Sequence, residues 1–374
     1  DEYFHEYIGD TDIAAKMTKD GVLTIRPTYC ANSDTDVPNV NGYHGDNTGF
    51  PWFDVFYDKN YTPELDTNGK LNNWSGLGEY QQYLKKIVWV DGITNTGAYL
   101  FNGATQIPTS TEIELQIPDS VKTVGAFILG NAKSDPEVIV PVGATNVGAA
   151  FNGASGIAQN VYILNSEMTG IPVVKKGGNT TTSGGDNTAR NICYGFNYTV
   201  HVKEGSAAYD KLATGDYKIE THTDMGACGV APYSSYVFYL YDAGTKTLTI
   251  KGSGAMANYA SASEAPWSGY DVEKIVVEDG VTHIGTYAFA GFVKLRQNSA
   301  NVTLPGGIDV ADTAFAKSDD QGRDPLPLTS DLYYNAYIGN TTIAAKMSRD
   351  GVITIYPTDT SKDTVVPEIK GYQG

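Results

Sequence analysis

The 374-residue chain has little cysteine and no long apolar runs. Its cysteines, Cys30, Cys193 and Cys228, are too few and too scattered for a disulfide framework or a cysteine zinc site. A single Cys193–Cys228 bridge and buried free thiols both remain open from the spacing. No run of about 18 apolar residues occurs, so the sequence predicts no membrane-spanning helix. The first ten residues do not form a signal peptide.

Positive charge is also scarce. Lysine and arginine number 26 against 43 acidic residues, which gives a formal net charge of −17. Such a surface repels phosphate backbones and anionic membranes, so we expect neither nucleic-acid binding nor membrane insertion. Glycine (41) and tyrosine (26) are abundant instead, which favours turns and strands over long amphipathic helices. The composition predicts a mainly β protein and is typical of an extracellular or cell-surface location.

One stretch of the chain occurs twice. IVWVDGITNTGAYLFNG (Ile87–Gly103) aligns without gaps on IVVEDGVTHIGTYAFAG (Ile275–Gly291). Each copy is preceded by a similar strand pattern, VLTI at Val22–Ile25 and TLTI at Thr247–Ile250. The chain therefore contains two copies of one module.

A shorter period lies within each copy. Leu115–Gly130, Val138–Gly153 and Val302–Lys317 each read as a strand, a turn, an inward aliphatic residue, a corner and a phenylalanine. A repeat of roughly 20 to 29 residues with one short strand is typical of a solenoid. Glycines such as Gly97 and Gly285 are expected where the backbone turns a tight corner. Five phenylalanines are predicted to form a core ladder inside the solenoid: Phe101, Phe127, Phe151, Phe289 and Phe315.

A third repeat is far longer. YIGDTDIAAKMTKDGVLTIRPT (Tyr7–Thr28) recurs as YIGNTTIAAKMSRDGVITIYPT (Tyr337–Thr358). The segment 331–374 thus repeats 1–45 and is predicted to begin the next unit of a tandem array. We expect this segment to dock on the preceding module and to link units end to end into a fibre. The docking is expected through strand pairing or through packing of Tyr333, Tyr337, Ile343 and Met347.

The repeats divide the chain. We expect a first solenoid module at 1–215, with insertions at 29–84 and 166–197. A second, shorter module is expected at 216–330, followed by the start of the next unit at 331–374.

The segment Leu240–Gly291 combines a hairpin ending in TLTI, a GSGAM turn, an APW segment and a coil of the IGTYAF type. It resembles the opening region of the BspA-like leucine-rich-repeat family of surface proteins. Val200–Leu212 resembles the exit of that family, and the likeness covers 85–165, 198–213 and 236–317. The resemblance implies leucine-rich-repeat-type solenoid modules with β-hairpin caps, in tandem. It further implies surface display and binding of proteins or host matrix, without catalysis.

Motifs that carry catalysis are missing. The sequence holds no G-x-S-x-G, H-E-x-x-H, C-x-x-C or Walker loop. GSGAMA (Gly252–Ala257) matches a dinucleotide fingerprint only in its letters and predicts a hairpin turn. The histidines share no ligand spacing, so each is expected to be a surface or strand residue: His5, His44, His201, His222 and His283. We expect no enzyme, no cofactor and no catalytic or bound metal.

Acidic loops leave one alternative to that expectation. Asn32–Asp36, Asp66–Asn73 and Ser318–Asp324 carry oxygen ligands that would suit structural calcium, but none has the spacing of an EF-hand loop. Solvated loops are the simpler interpretation.

A binding surface is expected along the exposed sheet face, as in other solenoids. Its outward strand positions are predicted to include Trp89 and Glu278. The aromatic residues of the first insertion, among them Trp52, Trp74 and Tyr80, would form a carbohydrate-stacking platform or pack the insertion onto the solenoid, and we favour packing.

The predicted function is that of a secreted or cell-surface repeat protein for adhesion or for fibre or surface-layer assembly. It would act through protein–protein contacts with copies of itself or with a host or extracellular-matrix protein. The alternative is a carbohydrate-binding module of a larger extracellular enzyme.

Overall fold

The computed structural model describes residues 2–7, 12–28, 34–37, 82–97, 112–125, 136–148, 158–173, 192–193, 197–292, 295, 301–315 and 332–367. Regular secondary structure in these ranges is mostly strand, and they include the six-residue helix α1 (Ala207–Leu212). The predicted mainly β class is confirmed. The chain forms two compact units, unit 1 (1–222 and 231–235) and unit 2 (223–230 and 236–374).

Unit 1 begins with an antiparallel sheet that continues as a parallel one. β1, β2 and β3 are antiparallel, whereas β3, β4 and β5 are parallel. A second parallel sheet has the order β11-β10-β9-β7, and β6 pairs with β8. The strands are β1 (Glu2–Tyr7), β2 (Ile13–Thr18), β3 (Val22–Pro27), β4 (Lys86–Trp89), β5 (Glu114–Gln116), β6 (Thr123–Val124), β7 (Glu137–Val140), β8 (Asn146–Val147), β9 (Asn160–Ile163), β10 (Thr199–Lys203) and β11 (Lys218–His222).

Unit 2 follows the same plan. β12, β13 and β14 are antiparallel, and β14, β16 and β18 are parallel. β15, β17 and β19 form a smaller parallel sheet. The strands are β12 (Asp224–Ala227), β13 (Val237–Asp242), β14 (Thr247–Gly252), β15 (Gly254–Ala255), β16 (Lys274–Val277), β17 (Val281–Ile284), β18 (Val302–Thr303), β19 (Asp309–Val310), β20 (Leu332–Tyr337), β21 (Ile343–Ser348) and β22 (Ile353–Pro357).

The stretches that align within the sequence occupy equivalent strands in the two units. Val22–Ile25 pairs in parallel with Lys86–Trp89, and Thr247–Ile250 pairs in the same way with Lys274–Val277. In both units the TI-containing strand is therefore the one at which antiparallel pairing changes to parallel pairing. The alternation of its side chains buries Leu23 and Ile25 in one unit and their counterparts Leu248 and Ile250 in the other.

Two of the predicted glycine corners have a clear physical basis. Gly97 has a φ of +80°, in the left-handed region that favours glycine. At Gly285 a Cβ atom would lie 1.9 Å from the carbonyl oxygen of Ala257, so a side chain is excluded by close backbone approach. GSGAMA contains the short strand β15 and no helix, which agrees with a turn rather than a dinucleotide loop.

The core of unit 2 contains two of the predicted ladder residues. Phe289 and Phe315 are buried in one hydrophobic cluster, with ring centroids 5.3 Å apart. The ring of Trp267 also stacks with that of Phe289, with centroids 5.7 Å apart. Phe101, Phe127 and Phe151 lie outside the described residues.

Candidate interaction surface

The strands β20, β21 and β22 form a separate three-stranded sheet, the C-terminal sheet. Its register copies that of β1, β2 and β3, the N-terminal sheet. Met17 lies opposite Leu23 in the N-terminal sheet, and Met347 lies opposite Ile353 in the C-terminal one. Near-identical sequence has thus produced the same local structure twice.

The surroundings of the two sheets differ. In the N-terminal sheet, β3 pairs with β4, and the side chains of Leu23 and Ile25 are fully buried. In the C-terminal sheet, the corresponding Ile353 and Ile355 are 64% and 51% exposed. Within the described part of unit 2, no strand pairs with the free edge of β22. The C-terminal sheet therefore displays apolar side chains that its copy keeps buried.

We call the exposed side chains of this region the terminal apolar residues. Single exposed apolar residues are common on proteins, but Ile353 and Ile355 are both exposed on one face of β22, and neighbouring exposed apolar residues are typical of an interaction site. Outside this region, the large apolar residues that are exposed in the described part of the chain are Tyr83 and Val230. The terminal apolar residues are Val352, Ile353, Ile355, Val365 and Val366.

The residues predicted to dock this segment show a mixed pattern. Ile343 is buried, whereas Tyr337 and Met347 are half-buried. The side chain of Tyr333 lies outside the described residues. The predicted strand pairing with the preceding module is not found for β22, whose edge stays open within the described part of unit 2.

The predicted outward position of Trp89 is wrong. Its side chain is fully buried, and the indole Nε1 donates a hydrogen bond to the carbonyl oxygen of Thr96 at 3.1 Å. The physical reason is strand alternation, because Trp89 occupies the inward register of Ile87, two residues before it. In the aligned copy this inward position is Val277, and Glu278 is the next residue. Glu278 is partly exposed and forms an ion pair with Lys251 at 3.0 Å.

Several other predicted positions fall in the remaining parts of the chain. Trp52, Trp74 and Tyr80 lie outside the described residues, as do two of the three acidic loops. In the third loop, the carboxylate of Asp34 accepts a hydrogen bond from the backbone N–H of Asp12. The carboxylate of Asp36 accepts one from the hydroxyl of Thr94.

The two buried cysteines carry no reactive site. Cys193 and Cys228 are both free, which decides between the two alternatives left open by their spacing. Burial raises the pKa of both thiols well above the usual range. Their thiolates are therefore disfavoured, and both behave as small apolar core residues.

One group of residues was missed by the sequence interpretation. His201 and His222 lie side by side in the folded chain, with Glu220 beside them. The two histidines are separated in sequence by the helix α1, and only the parallel pairing of β10 with β11 brings them together. No spacing motif could have revealed them. His283, by contrast, pairs with the carboxylate of Asp309, at 2.6 Å.

No protein-family model and no curated protein matches the chain. Two solved structures are similar to it. The crystal structure of a leucine-rich repeat protein from Eubacterium ventriosum ATCC 27560 is 14% identical, with a TM-score of 0.26. That match covers 83% of this chain and 63% of the other. The crystal structure of a leucine rich cell surface protein from Faecalibacterium prausnitzii A2-165 is 13% identical, with a TM-score of 0.17, and covers 84% of this chain and 86% of the other.

Both neighbours are leucine-rich proteins. Their descriptions agree with the BspA-like resemblance of the sequence. In the described part of the chain, no helix has the length and apolar character needed to cross a membrane.

Proposed function

We propose that this protein is a non-enzymatic repeat protein of the cell surface whose units join end to end through the C-terminal sheet. The observation that carries the proposal is the contrast between the two sheets. One sequence pattern is buried against a parallel strand in the N-terminal sheet and exposed in its copy. The parallel ladders that join strands one repeat apart support the further proposal that each unit is a leucine-rich-repeat-type solenoid.

The partner in this proposal is a second copy of the chain. The strand that suits the edge of β22 is β4, because β4 already pairs with the corresponding strand β3 through four residue pairs, Val22–Lys86 to Ile25–Trp89. The C-terminal sheet of one copy would replace the N-terminal sheet of the next copy on its β4. Each copy would then offer one C-terminal sheet and one β4 edge. Such a head-to-tail contact is open-ended and gives a filament.

The physical chemistry favours this contact in two ways. Full burial of a side chain such as Ile353 stabilises an interface by about 1.5–3 kcal/mol relative to its exposed state. Pairing also satisfies backbone groups on the exposed edge of β22, which is a ready template for another strand. The N-terminal sheet of the same chain is tethered beside β4 and competes with the incoming C-terminal sheet for this strand. Assembly therefore depends on protein concentration.

The proposal is tested by two charges placed on the exposed face. In the double variant Ile353→Asp/Ile355→Asp, a buried β4–β22 contact would require two unpaired carboxylates to be desolvated. Light scattering across a concentration series should show association of the parent chain and none of this variant. Val230→Asp is the matched control, because Val230 is a comparably exposed valine outside the C-terminal sheet. A parent chain that stays monomeric, or a double variant that assembles like the parent, would contradict the proposal.

A further inference from the structure

Three ligand-bearing side chains meet on one face of the second parallel sheet of unit 1. His201 on β10 lies directly opposite Glu220 on β11, and His222 is two residues further along β11 on the same face. The His201 Nδ1 atom lies 3.0 Å from Nε2 of His222 and 3.9 Å from Oε1 of Glu220. One potential ligand atom from each residue falls within 4.8 Å of the other two.

The orientation of the His201 ring is set by a chain of hydrogen bonds. The side-chain amide of Asn160 donates to Oε1 of Glu137 at 2.8 Å, which directs its carbonyl oxygen towards His201. That oxygen lies 2.9 Å from Nε2 of His201. Since a carbonyl oxygen can only accept, Nε2 carries the proton. The lone pair of Nδ1 then faces His222 and Glu220.

Burial and stacking hold this ring in place. His201 is buried, and its ring stacks on that of Tyr162 with centroids 4.4 Å apart. The ring of His222 also stacks with that of His201, with centroids 5.3 Å apart. A histidine whose second ring nitrogen donates to a carbonyl or carboxylate is the usual arrangement at protein metal sites, where this bond fixes the tautomer and the ring orientation.

We propose that His201, His222 and Glu220 bind a divalent transition-metal cation, for which Zn²⁺ is the best match. Two imidazole nitrogens and one carboxylate oxygen are a known zinc ligand set, and a water molecule can complete the tetrahedron. Calcium and magnesium prefer sites made of oxygen ligands alone. The 3.0 Å separation of the two nitrogens is close to the distance of about 3.3 Å between ligands around tetrahedral zinc.

The metal would link β10 to β11 at the end of unit 1. The exposed side chain of Glu220 has room to move onto the ion, while His201 is already held by its neighbours. In the metal-free protein, the His222 Nε2–H group would donate a hydrogen bond to Nδ1 of His201. Metal binding would replace this hydrogen bond. This site is independent of the C-terminal sheet and of the assembly proposed above.

Isothermal titration of the full chain with ZnCl₂ at a pH of about 7.5, where free imidazole is largely neutral, tests the proposal. The parent chain should bind one equivalent saturably and show a higher melting temperature with zinc, since a ligand of the native state stabilises it. His222→Gln, at a half-buried position, should weaken binding by about 100-fold or more and abolish the thermal shift. Asn160→Ala leaves all three ligands in place and should weaken binding by about 10- to 100-fold.

His283→Gln is the matched control, because His283 faces a carboxylate rather than a second histidine. It should bind zinc as the parent does. Absence of saturable binding to the parent would overturn the proposal, as would parental affinity in a folded His222→Gln variant. An equal loss of affinity in His283→Gln would also overturn it.

Discussion

Leu23 and Ile353 occupy the same position in two copies of one sheet, and Leu23 is fully buried whereas Ile353 is 64% exposed. Each lies opposite a methionine, Met17 or Met347, on the neighbouring strand. The difference between them therefore does not come from local structure. It comes from the surroundings, because Leu23 packs in the hydrophobic core of unit 1 and its strand pairs with β4, whereas the edge of β22 stays open within the described part of unit 2.

The core of unit 2 should depend strongly on Phe289. This residue is buried and its ring contacts those of Trp267 and Phe315, so truncation removes both aromatic contacts. Phe289→Ala should lower the free energy of unfolding by about 3–5 kcal/mol, as measured by denaturant titration. A variant as resistant to denaturant as the parent would show that the phenylalanine does not support the core.

Gly285 should resist even the smallest side chain. A Cβ at this position would lie 1.9 Å from the carbonyl oxygen of Ala257, so the backbone has to shift. Gly285→Ala should cost about 1–3 kcal/mol in thermal or chemical unfolding. Gly291→Ala is the control, because a Cβ added there would meet nothing within 4 Å. Equal stability of the two variants would contradict the close backbone approach.

The buried thiols should be inert in the folded protein. In a Cys30→Ser background, a thiol reagent at mildly alkaline pH should react with neither Cys193 nor Cys228, because burial raises the pKa of both thiols. After unfolding in denaturant without reductant, both should react. Recovery of no free thiol from the unfolded chain would instead indicate a Cys193–Cys228 bridge.

The sequence was most informative where a pattern repeats. The change from antiparallel to parallel pairing falls at the aligned strands in both units, and the copy of the N-terminal sheet was found from letters alone. Trp89 was misplaced because outward and inward positions alternate every residue, so an error of one position reverses the side chain. The relation between His201 and His222 depends on strand pairing across α1, which a single sequence does not encode as a spacing.

Removal of the N-terminal sheet should promote assembly. Deletion of residues 1–33 takes away the tethered competitor for β4 and should allow the chain to associate at a concentration at least about tenfold below that of the parent. The same deletion combined with Ile353→Asp/Ile355→Asp should remain monomeric. Equal association of both deletion chains would indicate non-specific aggregation and would contradict pairing through β22.

The most direct test of head-to-tail assembly is a disulfide between two copies of the chain. Thr24 lies directly beside Val88 in the parallel pair of β3 and β4, and Thr354 is the counterpart of Thr24 in β22. Neighbouring strands hold such residues within the range of distances that a disulfide spans. The experiment mixes and oxidises two kinds of chain, one with Val88→Cys and one with Thr354→Cys, both in a Cys30→Ser background. In the control experiment, a chain with Val276→Cys takes the place of the chain with Val88→Cys. Pairing of β22 with β4 should give a covalent dimer for the first pair of chains and little dimer for the control pair. No dimer, or equal yields from both pairs, would show that β22 does not pair with β4.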